Sequence, residues 1–75
     1  MPRAKTVRVA FYPERDGYSA IVLNYLGVSS QGETIAATKR KIAEAFQAMN
    51  ESGCLKEGKA DLPPERHWIE SVKVG

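Results

Sequence analysis

The chain has 75 residues and a mass of 8.3 kDa, enough for one small domain with one hydrophobic core. Apolar residues make up 43% and charged residues 27%, and 11 Lys and Arg against 9 Asp and Glu leave a formal net charge of +2. These values exclude a multidomain enzyme and a disordered chain, and so small a charge does not by itself indicate a nucleic-acid partner. We expect a single domain over residues 1–75 that is marginally stable as a monomer.

Cysteine content and the N-terminus bear on the compartment. Cys54 is the single cysteine of the chain, which excludes an intrachain disulfide and with it a secreted, disulfide-stabilised mini-protein. The basic start is not followed by a continuous apolar segment, and no segment approaches the ~18 apolar residues of a membrane span. We therefore expect a cytoplasmic protein with no signal peptide and no membrane partner.

Three strands are predicted before any helix. Residues 7–12 and 18–24 alternate apolar and polar side chains and are rich in strand-forming residues, and a shorter strand follows at 28–31. Turn-forming residues occupy 13–17, where we expect Pro13 to end the first strand.

Two registers of the first hairpin remain open. A tight turn at Asp16-Gly17 pairs Phe11 with Val22, whereas a four-residue loop pairs Phe11 with Tyr18. Because side chains alternate, both registers group the same residues on each face. The first face is apolar: Val7, Val9, Phe11, Tyr18, Ala20 and Val22. The second face is mixed: Arg8, Ala10, Tyr12, Ser19, Ile21 and Leu23.

One amphipathic helix follows the third strand. Thr34 is the predicted N-cap, and Gly53 suits the left-handed position after the last helical turn. One stripe recurs at spacings of three and four, apolar except for a threonine: Ile35, Thr38, Ile42, Ala45, Phe46 and Met49. A polar connection over 53–66 then leads to a last strand at 67–74.

These elements predict an α+β fold, β-β-β-α-β. A right-handed crossover through the helix would place the last strand beside the first and parallel to it, giving a mixed four-stranded sheet of order 3-2-1-4 with the long helix on one face. The second face would then lack a cover, and we predict a partner interface there formed by Arg8, Tyr12, Ile21 and Leu23. The alternative is that the N-terminal arm or the 53–66 connection folds over this face.

The residues indicate neither an enzyme nor a cofactor-binding protein. His67 and Cys54 are too few to form a zinc site, and no nucleophile elbow or phosphate-binding loop is present. We therefore assign no catalytic, metal or cofactor site. The alternative function is a small RNA- or DNA-binding domain that uses Arg3, Lys5, Arg8 and the basic residues at 39–41.

An ordered set of short motifs resembles the HicB family of antitoxins. The set comprises the hairpin Asp16-Gly17-Tyr18, Gly27 before a short strand, the helix start Gly32-Glu33-Thr34, and an alanine-rich amphipathic helix with Ala43-Glu44-Ala45. The resemblance covers residues 7–52, and the last strand matches the family's closing strand more loosely. Where members usually have Pro-Gly-Cys, this chain has Leu26-Gly27-Val28.

The resemblance implies a HicB-like domain with a partial RNase H-like fold that lacks catalytic carboxylates. It also implies an antitoxin of a type II toxin-antitoxin system that binds and masks a small HicA-like mRNA interferase, or an orphan relative of unassigned role. The expected partners are such a toxin or a second copy of the chain, as a homodimer or larger homo-oligomer. A direct nucleic-acid partner is not expected, and no operator-binding module is carried over.

Overall fold

The computed structural model describes residues 6–74, which form an α+β fold of six strands and one helix. In chain order the elements are β1 (Thr6–Glu14), β2 (Gly17–Val22), β3 (Tyr25–Leu26), β4 (Ser29–Gly32), α1 (Ile35–Ser52), β5 (Lys56–Glu57) and β6 (Trp68–Lys73). Over these residues no helix is both long and apolar enough to cross a membrane.

The main sheet has four strands in the order β4-β2-β1-β6, and all three pairings are antiparallel. The prediction of a mixed sheet is therefore wrong, because β6 runs antiparallel to β1 rather than parallel to it. The predicted order 3-2-1-4 differs in detail, since the chain also contains β3 and β5, which pair with each other in a separate two-stranded sheet.

The β1–β2 hairpin adopts neither of the two predicted registers. Phe11 pairs with Ala20, and Glu14 pairs with Gly17 across a two-residue turn. The observed register differs from each predicted one by two residues, so the two faces have the predicted composition. The prediction that Pro13 ends the first strand is also wrong, because β1 continues to Glu14.

The core lies between the first face and α1. Val7, Val9, Phe11, Ala20 and Val22 are buried there together with Ile42 and Phe46 of the helix. The apolar stripe of α1 thus meets the apolar face of the sheet, as the two periodicities predict. The helix packs mainly against β4 and β2.

Both predicted helix ends are confirmed. The Thr34 hydroxyl accepts a hydrogen bond from the Ala37 amide at 3.0 Å, and this satisfies one of the free amides of the first turn. Gly53 has φ of 76°, and its N–H donates to the Asn50 carbonyl at 3.2 Å. Most L-residues are strained at this φ, which explains a glycine at the helix end.

The connection after α1 explains the direction of β6. Trp68 pairs with Phe11 and Lys73 pairs with Thr6, so β6 begins near the end of β1. The helix runs the length of the sheet from the hairpin end, and the chain must return to that end before β6 starts. It returns over the second face. Residues 58–67, here called the strap, make this crossing.

Candidate docking edges of the sheet

The strap covers part of the second face. The Ala60 amide donates to the Leu23 carbonyl at 3.0 Å, and the Tyr12 hydroxyl donates to the Pro63 carbonyl at 2.8 Å. The His67 ring stacks on the Tyr12 ring with centroids 4.8 Å apart. Tyr12 is 3% exposed as a result.

The expectation of an uncovered second face is therefore wrong around Tyr12. Its side chain is occupied by the strap and does not form an open interface. Of the other predicted interface residues, Arg8 is exposed, whereas Ile21 and Leu23 are half-buried. The alternative, that the 53–66 connection folds over this face, holds around Tyr12. The connection is polar and has no periodicity, and these features do not reveal its path.

Burial and charge act together on the Tyr12 hydroxyl. Burial raises the pKa of Tyr12 above its ordinary value, and the nearby negative charge of Glu65 raises that pKa further. Both effects favour the neutral hydroxyl, the form that donates the hydrogen bond to Pro63. The strap is therefore fixed to the sheet by a group that stays protonated at neutral pH.

Two isoleucines lie on the second face at either side of β1. Ala10 is fully buried and pairs with Ile21 of β2 and with Ile69 of β6. Ile21 is half-buried, and Ile69 is 41% exposed. The strap thus leaves apolar surface near both outer strands of the sheet.

The hydrogen-bond alternation shows which backbone groups of the outer strands point outward. The Leu23 amide donates to the Arg8 carbonyl at 2.9 Å, and the Val22 amide donates to the Val28 carbonyl at 3.0 Å. In antiparallel pairs, successive residues point their N–H and C=O groups to opposite sides. The backbone groups directed away from the sheet are therefore those of Ser29 and Gln31 in β4 and those of Ile69, Ser71 and Lys73 in β6.

A shallow groove accompanies the β4 edge. Its volume is about 320 Å³. Hydroxyl, amide and apolar groups line it: Ser19, Ala20, Ile21, Ser29, Ser30 and Gln31. This β4 groove combines outward-pointing backbone groups with the half-buried Ile21 side chain, so it can receive an extended segment of another protein.

A second cleft of about 370 Å³ lies where the hairpin turn meets the start of α1. Its charged lining residues are Asp16, Glu33 and Lys41, all on the surface. Within residues 6–74, no three His, Cys, Asp or Glu side chains are grouped closely enough to hold a metal ion.

The basic residues of the alternative function do not form one surface within the described residues. Arg8 lies on the second face, whereas 39–41 belong to α1, which covers the first face. Lys39 is paired with Glu70 of β6 at 2.8 Å. Arg3 and Lys5 lie outside the described residues.

Glu70 connects α1 to β6. Its second carboxylate oxygen accepts a hydrogen bond from the Trp68 indole at 2.6 Å. The hydrogen bonds from Lys39 and Trp68, together with the positive charge of Lys39, hold the pKa of Glu70 below its ordinary value. The ion pair is about one third exposed, so we regard it as a positioning contact.

Comparisons of the chain with protein-family models, with curated proteins and with solved structures find no match.

Proposed function

We propose that the chain is a HicB-like antitoxin, a non-catalytic cytoplasmic module that binds and masks a HicA-like mRNA interferase. The alternative within this proposal is an orphan relative of unassigned role. The ordered motifs from the Asp16-Gly17-Tyr18 hairpin to the Gly32-Glu33-Thr34 helix start support the family. The antiparallel last strand departs from the mixed sheet predicted for the domain.

The β4 groove is the observation that carries a binding role. Ser29 and Gln31 direct four backbone groups outward, and Ile21 offers apolar surface beside them. An extended segment of the toxin would pair with β4 and cover Ile21, as in strand addition to a sheet edge. Because β4 has four residues, the backbone bonds are few and the side-chain contact with Ile21 is needed for affinity.

Masking requires no chemistry in this account. The bound antitoxin would block access of mRNA to the toxin by steric exclusion. The residues needed for masking are therefore contact residues rather than acids, bases or nucleophiles.

The test is co-expression with a small HicA-like protein encoded beside the chain, scored by rescue from growth arrest and by co-purification. Ile21→Lys places a charge in the β4 groove and should lower affinity at least about tenfold and abolish rescue, because the contact would bury an unpaired ammonium group. Leu26→Lys is the control, because Leu26 is an apolar residue that is 42% exposed and lies in β3, outside the four-stranded sheet.

We expect rescue by the wild-type chain and by Leu26→Lys. Failure of the wild-type chain to bind the toxin would overturn the function. Rescue by Ile21→Lys as complete as that of the wild type would instead show that the β4 groove is not the site.

A further inference from the structure

We propose that a second copy of the chain docks on the outer edge of β6, so that two sheets join into one antiparallel sheet of eight strands. This inference is independent of the toxin proposal, which concerns the opposite edge. It rests on how well the backbone groups and charges at the outer edge of β6 match those of the same edge in a second copy.

The outward backbone groups of β6 fix the best register. They belong to Ile69, Ser71 and Lys73, which lie at every second position. A two-fold axis at Ser71 pairs Ser71 with the partner's Ser71 and pairs Ile69 with the partner's Lys73. This register uses all three outward residues, with three pairs that each exchange two backbone hydrogen bonds.

Charge favours the same register. An axis at Glu70 would place two carboxylates directly opposite each other, which is unfavourable across a strand pair. With the axis at Ser71, Glu70 lies opposite the partner's Val72, and Lys73 lies opposite the partner's Ile69. No like charges then face each other within β6.

The exposed apolar surface at this edge is covered in the same arrangement. Ile69 is 41% exposed in the single chain, and the partner's Lys73 would lay its aliphatic stem across it while the ammonium group stays in water. Docking at β6 also keeps the α1 helices of the two copies apart, because each α1 packs mainly on β4 and β2 at the far side of its sheet. β4 offers a shorter edge with two outward residues.

Sedimentation over a concentration range of about 1,000-fold tests whether the chain dimerises. We expect a concentration-dependent dimer, weakened about fivefold or more by Ser71→Glu, because two carboxylates would face each other at the axis. Ser71 is exposed and lies opposite Arg8 of β1, so the new carboxylate faces a positive charge within its own chain and circular dichroism should show the variant folded. A wild-type chain that is monomeric throughout, or a folded Ser71→Glu chain that dimerises equally well, would overturn the proposal.

Disulfide trapping tests the register. The background is Cys54→Ser, which removes the exposed native thiol. Ser71→Cys should form a disulfide dimer by itself, because the two sulfurs would meet at the axis. Lys73→Cys alone should form no disulfide dimer, because Lys73 does not face the partner's Lys73. A mixture of Lys73→Cys and Ile69→Cys chains should form a disulfide between the two variants, because these positions face each other. Equal trapping of Ser71→Cys and Lys73→Cys alone would contradict the register, and so would absence of trapping in the mixture.

Discussion

Tyr12 joins the strap to the sheet through one hydrogen bond and one ring contact. Replacing Tyr12 by Phe keeps the ring and its stacking on His67 but removes the hydroxyl that donates to the Pro63 carbonyl. We expect Tyr12→Phe to lower the free energy of unfolding at pH 7 by about 1 kcal/mol, the usual net contribution of such a bond. Chemical denaturation at neutral and alkaline pH measures this.

The pH dependence of the free energy of unfolding tests the role of Tyr12 in a second way. Because folding raises the pKa of Tyr12, its contribution is complete below the unfolded pKa of about 10 and is lost as pH rises through the folded value. The Phe variant should lack this alkaline loss. Tyr18→Phe is the control, since the described residues give its hydroxyl no hydrogen bond. Equal alkaline loss in wild type and Tyr12→Phe would show that Tyr12 does not hold the strap.

Glu70 acts between elements, because it joins β6 to α1 through Lys39. We expect Glu70→Gln to lower the free energy of unfolding at pH 7 by at most about 1 kcal/mol, as is usual for a partly exposed ion pair. Folding lowers the pKa of Glu70, so the contribution is present above the unfolded pKa of about 4.3 and is lost as pH falls through the folded value.

Urea denaturation of both proteins between neutral and acid pH measures this effect. The stability difference between wild type and Glu70→Gln should shrink below about pH 4.3. Glu44→Gln is the control, because Glu44 is exposed on α1 and has no ion pair within the described residues. A difference that stays constant down to acid pH would contradict the role given to the Glu70 carboxylate.

The sequence predicts local elements well and chain paths poorly. The two faces of the hairpin were predicted although the register was not, because the observed and predicted registers differ by two residues and so keep the same parity. The helix caps follow from local chemistry at Thr34 and Gly53. The strap depends on contacts between distant residues such as Tyr12 and Pro63, and no local pattern predicts them.

The candidate site was predicted in part for the same reason. Alternation along β2 placed Ile21 on the second face, where it lies beside the β4 groove. The outward backbone groups of Ser29 and Gln31 depend on how β4 pairs with β2. Once that pairing is known, the alternation of hydrogen bonds along β4 shows which backbone groups point outward.

At the scale of the whole molecule, the helix closes the first face and the strap closes the centre of the second face. We propose that contacts with other chains lie at the two outer strands. In this proposal β4 binds a toxin and β6 binds a second copy, so that one continuous sheet can hold both at once.

Amide hydrogen exchange of the chain, alone and with the HicA-like toxin, tests the central claim most directly because it reads each outward amide separately. Alone and dilute, the amides of Ser29 and Gln31 should exchange faster than those of Ser30 and Gly32, whose amides point toward β2. Addition of the toxin should slow exchange at Ser29 and Gln31. Unchanged exchange at these two amides in the bound state, with new protection on the strap or on α1 instead, would contradict docking at the β4 edge.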